Sequence, residues 1–310
     1  GIVVDSDIRR ALLRGDGMEV PVTRAMNPKP FVADSRLPQP ELAALFREHR
    51  KAYIPLVDSK GRLVSLAGMG EHIAPVPAHE NWVVVMAGGQ GRRLRPLTED
   101  TTKPMMKVGD KPLLEVLLER LVASGLKRFI FTVNYLAHRI QDHFGDGSRW
   151  GARIEYIVEK KELGTAGALS LIAKKFEGSL IVMNADLLTK VNFRALLNYH
   201  QESSHMATLC VREYDFKVPY GVVQIRDQKL HGIVEKPVHK FFVNAGIYVL
   251  EPRALVRLKK GVSRDMPDLL EELRRSKPGS VGCFPVQEYW LDIGKPEDYR
   301  QAIKDYESEF

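Results

Sequence analysis

Four consecutive apolar residues, Val83-Val84-Val85-Met86, run without a spacer into Ala87-Gly88-Gly89-Gln90-Gly91. A strand that is apolar at every position has no polar side to turn to water, so both of its faces must be covered. That places it inside a sheet with helices on both sides. The residues downstream supply those layers. Leu114, Leu117, Leu118 and Leu121 recur at i, i+3, i+4 and i+7, the period of an amphipathic helix, and Gly125 ends it. Further strands are expected at 129–133, 153–158 and 179–183, and the pattern turns β-rich after 205, with strands near 206–212, 220–225, 241–250 and 281–286. The fold class expected for residues 82–310 is therefore α/β, with a Rossmann-like, mixed and mostly parallel sheet flanked by helices.

Residues 1–75 read as a smaller α/β unit. Ile2-Val3-Val4 is strand-like, and Asp7 to Leu13 suits a helix capped by Asp5 or Ser6. A short strand follows at 31–33, then a helix over about 40–50 with Leu42, Leu45 and Phe46 on one face. The turn Asp58-Ser59-Lys60-Gly61 separates two strand-like runs, 53–57 and 63–66. Two prolines among small residues, Pro75 and Pro77, make 73–81 a linker, with 76–81 as the boundary and the second domain starting at Trp82.

The chain carries 46 Lys and Arg against 39 Asp and Glu, a net charge of +7. The cations are scattered and no nucleic-acid motif accompanies them, so a solvated basic surface or a small polyanionic ligand is the expectation, not nucleic acid. Cys210 and Cys283 stand far apart with no CxxC or Cys/His cluster, which argues against structural zinc and suits a reducing, cytoplasmic setting. No run of 18 apolar residues occurs, so no membrane span is expected, and the first residues lack the basic and apolar regions of a signal peptide.

The turn after the first buried strand carries the chemistry. Glycines there let backbone N–H groups approach a phosphate closely. Arg92 and Arg93 follow at once, and Lys103 ten residues after Arg93, offering a planar fork and a point charge to phosphate oxygens. It is not a P-loop, because no GK[ST] follows, and it is not the dinucleotide fingerprint, because Gly89-Gln90-Gly91 leads into Arg92-Arg93-Leu94. Glycines alone would be consistent with a bare turn. With Arg93-Leu94-Arg95-Pro96-Leu97-Thr98 and Lys103-Pro104 added, the segment resembles the sugar nucleotidylyltransferases, whose signature reads GGxGxRLxPLTxxxxKP. Lys111-Pro112-Leu113-Leu114 continues it in the manner of that family.

The resemblance implies the nucleotide-diphospho-sugar transferase fold and a set of roles. Ala87, Gly88, Gly89, Gln90, Gly91 and Arg92 would line the nucleotide, and Arg93 and Lys103 would hold the triphosphate and stabilise the transition state. Glu159 falls where the family reads the base edge, and Gly164 and Thr165 of Gly164-Thr165-Ala166-Gly167 where it packs on the base. An ionised carboxylate only accepts hydrogen bonds, and guanine offers two adjacent donors, so Glu159 favours GTP over uracil or thymine nucleotides. Asp186 of Asn184-Ala185-Asp186 and Asp292 of Trp290-Leu291-Asp292-Ile293-Gly294-Lys295-Pro296-Glu297-Asp298 match the two acids that ligate Mg²⁺ in the family, with Ala185 and Lys295 as mild departures. Spacing alone does not pair them. Tyr220, Gly221, Glu235, Lys236 and Asn244 match the sugar side.

Residues 1–75 resemble the CBS module, with part of one motif at the start and a second at about 21–73. Such pairs often take an adenine nucleotide through a Thr/Ser-x-x-Asp step. Here those positions read Val4 and Asp7, then Gly68 and Glu71, so only Asp7 fits, and a structural or dimerising role stands beside nucleotide sensing. A homodimer or higher homo-oligomer is expected. A guanylyltransferase behind a CBS pair is similar to the glucosamine-1-phosphate guanylyltransferases of nonulosonic acid synthesis. Mannose-1-phosphate guanylyltransferases and the uridylyl-, cytidylyl- or thymidylyltransferases are the alternatives within enzymes, and a non-catalytic CBS-linked sensor is the alternative outside them.

Overall fold

The structure is a computed structural model and describes residues 1–17, 19–49, 53–68 and 79–310. Glu71, the end of the second CBS-like motif at Ile73, and the linker residues 73–78 lie outside the described residues.

The first 68 residues hold α1 (Asp5–Leu13), α2 (Val22–Ala25), β1 (Ala33–Asp34), α3 (Gln39–His49), β2 (Tyr53–Val57) and β3 (Leu63–Gly68). β1 pairs parallel with β2, and β2 antiparallel with β3. Leu42 and Phe46 of α3 close this sheet into a small core with Ala33, Ile54 and Ala67, the helix face read from the sequence. The turn between β2 and β3 forms because Asp58 Oδ1 accepts from the N–H groups of Lys60 and Arg62, while Gly61 takes a φ of +73°. Ile2 makes only an isolated bridge to Asn27, not a strand. Neither Asp5 nor Ser6 caps α1. Val4 occupies that position, and Asp7 accepts from the Val4 N–H at 3.1 Å. The carboxylate that alone fitted the Thr/Ser-x-x-Asp step thus also bonds at the helix start.

The remainder is built on a seven-stranded sheet, whose strands are β4 (His79–Ala87), β7 (Leu126–Val133), β8 (Arg153–Val158), β9 (Leu180–Asn184), β11 (Ala207–Lys217), β14 (Val238–Leu250) and β15 (Val281–Val286), in the order β15-β11-β14-β9-β4-β7-β8. β4 is parallel to both β7 and β9, β7 to β8, and β11 to β15, and β14 runs antiparallel between β9 and β11. Mixed, mostly parallel order is therefore observed. β4 begins at His79, earlier than the expected Trp82, because the chain pairs with Leu126 as soon as the prolines are passed and Asn81 Nδ2 donates to the Ser179 carbonyl at 2.7 Å.

The continuous apolar run of β4 is explained by two cores. Val83 and Val85 face one side, with Leu114, Leu117 and Leu118 of α4 (Leu113–Ala123), Ile140 and Phe144 of α5 (Ala137–Phe144), and Leu196 and Leu197 of α7 (Phe193–Ser203). Val84 faces the other side, with Leu269, Leu270 and Leu273 of α8 (Met266–Ser276). Between α5 and α7, a single turn of helix, α6 (Gly164–Gly167), follows β8. Two short ladders complete the body: β5 (Lys107–Val108) with β6 (Lys111–Pro112), and β10 (Leu187–Thr189) with β16 (Trp290–Asp292). A ribbon, β12 (Val222–Arg226) with β13 (Lys229–Val234), stands out from the β11–β14 pair, and α9 (Pro296–Glu309) ends the chain. Among the described residues no helix is long and apolar enough to cross a membrane.

Candidate active site

The C-terminal end of β4 opens into a cavity of about 230 Å³ lined by Ala87, Gly89, Gly91, Arg93, Lys103 and Asp186 among others. The glycine turn is held from below: Thr98, 1% exposed, donates its hydroxyl to the Gly91 carbonyl at 2.9 Å. Gly91 has a φ of +62°, and a Cβ there would stand 3.1 Å from the Thr98 methyl and 3.3 Å from Lys103 Cβ. Glycine at this position is what lets Lys103 approach the turn. Among the described residues, the N–H groups of Gly89, Gln90 and Gly91 have no acceptor from the protein and remain available to an anion. Arg92 and Arg93 are both exposed and line the cavity, and Arg92 Nε donates to Gln90 at 3.0 Å.

Lys103 is buried, and its ammonium donates to Asp186 Oδ2 and lies 3.8 Å from Asp292 Oδ1. The two acids meet because β10 and β16 form a ladder in which Leu187 faces Asp292, and Ile293 N–H donates to the Asp186 carbonyl at 3.1 Å. A third small core fixes the backbone beside each of these groups. It contains Leu94 next to Arg93, Met106 close behind Lys103, Leu188 after Asp186, and Ile293 after Asp292. Nothing in the spacing of these apolar residues announces that they share one cluster.

Electrostatically the pair is unbalanced. Burial and the neighbouring Asp186 push the Asp292 carboxyl above its ordinary value, while Lys103 and Arg93 pull it down less. Asp186 Oδ1 is buried without a hydrogen-bond partner. Two carboxylates, Asp186 in the turn between β9 and β10 and Asp292 at the end of β16, one oxygen orphaned, beside a cavity lined by free N–H groups, are a donor set suited to a hard divalent cation that takes its other ligands from water and phosphate.

Glu159 is 7% exposed, accepts from the Leu163 N–H at 3.2 Å through Oε2, and turns Oε1 toward Gly88, where a Cβ would stand 2.7 Å away. Burial raises its pKa, an effect only partly offset by the Leu163 N–H. Gly164 and Thr165 pack on the residues that lead into α8. A Cβ on Gly164 would meet the Arg264 carbonyl at 2.7 Å, and the Thr165 hydroxyl accepts from the Met266 N–H at 2.7 Å at the start of α8. The contacts of this segment are with residues 264–266, which its sequence did not indicate.

On the sugar side, Asn244 Nδ2 donates to the Tyr248 hydroxyl at 2.8 Å, and Asn244 Oδ1 accepts from the Gly246 N–H. Gly246, φ +68°, abuts Asn184, and Trp290 Nε1 donates to the Ala245 carbonyl at 2.8 Å. Asn244 is thereby tied to the strands that bear both acids. Tyr220, Gly221, Glu235 and Lys236 lie on the exposed ribbon, where Gly221 faces the Glu235 carboxylate and the Lys236 N–H donates to the Tyr220 carbonyl at 3.3 Å.

With this geometry in hand, residues 82–309 match the family described as Nucleotidyl transferase. The chain belongs to that family. A mannose-1-phosphate guanyltransferase of Aspergillus fumigatus is 30% identical over 228 residues, which are 70% of this chain and 61% of that protein. A mannose-1-phosphate guanylyltransferase of Mycobacterium tuberculosis is 32% identical over 238 residues, 73% of this chain and 65% of that one. The chain thus spans less than two thirds of these curated relatives. The crystal structure of HddC from Yersinia pseudotuberculosis complexed with GMP-PN superposes with a TM-score of 0.57 at 27% identity, over 73% of this chain and 99% of that one. A glucose-1-phosphate thymidylyltransferase structure from Bacillus anthracis, 21% identical with a TM-score of 0.59 over 72% of this nucleotidyl transferase and 93% of that chain, shares the fold.

Proposed function

We propose that this nucleotidyl transferase joins a hexose 1-phosphate to a nucleoside triphosphate, giving an NDP-sugar and pyrophosphate. The observation that carries the reading is the convergence of Lys103, Asp186 and Asp292 at the foot of a glycine turn whose N–H groups are unpaired. A sugar phosphate is already largely dianionic near neutral pH, with a second pKa of about 6, so its oxygen needs no general base. That oxygen attacks the α-phosphorus in line, one P–O bond forms, the bond to the β-phosphate oxygen breaks, and pyrophosphate leaves. The chain's task is then orientation and charge stabilisation. The turn N–H groups and Arg93 receive phosphate oxygens, and Lys103 takes part of the negative charge that grows in the transition state. A Mg²⁺ ion, held by Asp186 and Asp292, would neutralise the triphosphate as a Lewis acid. Asn244 and Glu235 would orient the sugar hydroxyls, Lys236 its phosphate, and Gly221 leaves room for the ring.

Guanine is the proposed base, because the Glu159 carboxylate lies against the turn and accepts but does not donate, and because the relatives above are named guanylyltransferases. Those names favour mannose 1-phosphate. The CBS-like residues 1–75 favour glucosamine 1-phosphate as the second reading. A pyrophosphate-release matrix of four nucleoside triphosphates against mannose, glucosamine and glucose 1-phosphates, with Mg²⁺, tests both. Turnover with GTP and one of the first two sugars is expected. Turnover in no cell of the matrix would favour a non-catalytic sensor.

A further inference from the structure

Helix α1 lies outside the 82–309 family match, yet it is joined to the end of β15 by a buried arginine. Arg9 is 5% exposed. Its Nε donates to Asp5 at 2.7 Å, its Nη2 to Glu288 Oε1 at 2.8 Å, and its Nη1 to the Pro285 carbonyl, while the guanidinium covers the Phe284 ring at 4.2 Å. Beside it, Ser6 donates to Glu202 at 3.1 Å, and Arg10 stands 3.5 Å from the same carboxylate. A buried guanidinium is tolerated only with its donors filled, and this one is filled across the boundary between the N-terminal unit and the transferase.

What Arg9 grips matters. Residues 285–288 leave β15 and lead into β16, which ends on Asp292. Arg212 Nη1 also donates to this segment, to the Val286 and Glu288 carbonyls at 2.9 and 3.2 Å. The segment is held by two guanidinium groups, and its next residues are tied down in turn. The Tyr289 carbonyl accepts from the Lys190 N–H at 2.9 Å, and Trp290 donates to Ala245. Three residues separate Glu288 from Asp292, a stretch with little slack for the strand to shift independently of its anchor.

We propose that Arg9 is a positioning residue for the transferase: through Glu288 and the Pro285 carbonyl, α1 fixes the path of the chain into β16 and so holds Asp292 beside Asp186. This rests on the reading of Asp292 given above. A lysine at position 9 would keep the charge but has no planar fork to span Asp5, Glu288 and a carbonyl together. Arg14, five residues further on, pairs among the described residues with Asp16 and the Arg24 carbonyl, within the N-terminal unit.

The test uses the whole chain and the variants Arg9→Met, Arg9→Lys, Glu288→Gln and Arg14→Met. Two quantities are read: amide hydrogen exchange of peptides covering 286–293 against peptides of β7, and steady-state kcat and KM. With Arg9→Met, exchange in 286–293 should rise while that of β7 does not, and kcat should fall about ten-fold or more from misplacement of a catalytic group. Both KM values should stay within about two-fold, since ground-state binding is not what is lost. Arg9→Lys should not rescue, Glu288→Gln should act in the same direction, and Arg14→Met should match wild type. If Arg9→Met does not fold, Glu288→Gln carries the same comparison. Unchanged exchange in 286–293, or faster exchange with unchanged kcat, overturns the proposal. Should the wild-type chain make no NDP-sugar, the proposed function fails by itself, and exchange alone decides whether Arg9 holds the segment.

Discussion

Asp186, in the turn before β10, and Asp292, at the end of β16, come to the same lysine from segments that are neighbours only in space. Asp292 faces Leu187 across the β10–β16 ladder, and Lys103 Nζ reaches both carboxylates. Lys103 lies between the two acids, and Arg93 lines the same cavity.

Removing one acid should therefore separate activity from stability. Asp292→Asn should abolish NDP-sugar formation, and Lys103→Met should lower kcat by roughly 10²–10³. Because burial and Asp186 already disfavour the Asp292 anion, Asp292→Asn should melt no lower than wild type when no metal is present. Adding Mg²⁺ should raise the wild-type Tm and leave that of the variant where it was. Thermal scans with and without Mg²⁺ check this.

Glu159 offers a pH test. Its folded pKa lies above the ordinary 4.5 through burial. A raised carboxylate favours the protonated fold, so this group takes stability away as pH rises from about 4.5 through its folded value. Glu159→Gln should flatten that part of the Tm-against-pH curve. In the same variant a hydrogen bond to a charged acceptor, worth roughly 1.5–3 kcal/mol, is exchanged for a weaker one, so preference for GTP over UTP should drop by about ten-fold.

Gly88→Ala probes the same corner from the other side. A Cβ at Gly88 would stand 2.7 Å from Glu159 Oε1, and that carboxylate must move. The KM for the nucleotide should rise several-fold while the melting temperature changes little, as measured by initial rates and calorimetry.

Much of this was legible in the chain before its coordinates. The apolar run 83–86 demanded two covered faces, and Val84 does face a different core from Val83 and Val85. The strand expected at 153–158 is observed at those residues. What stayed hidden depends on long-range contact. No periodicity tells that Leu94, Met106, Leu188 and Ile293 form one cluster beneath the site, or that Arg9 reaches Glu288. The early start of β4 was missed because Glu80 and Asn81 are polar, and polar residues enter a strand when partners such as the Ser179 carbonyl await them. No motif indicates that Gly164 and Thr165 contact residues 264–266, a pairing that depends on how α8 docks.

That docking makes its own prediction. Gly164 combines a φ of +73° with backbone contact, so Gly164→Ala should cost about 1–3 kcal/mol of stability. Urea denaturation should show the midpoint falling.

The most direct measurement follows phosphorus. ³¹P NMR of the protein with Mg²⁺, GTP and mannose 1-phosphate or glucosamine 1-phosphate should show sugar-nucleotide diphosphate and free pyrophosphate appearing in equal amounts, and neither with Lys103→Met. Release of GDP and orthophosphate, or an unchanged spectrum with either sugar and every nucleoside triphosphate, would contradict the account.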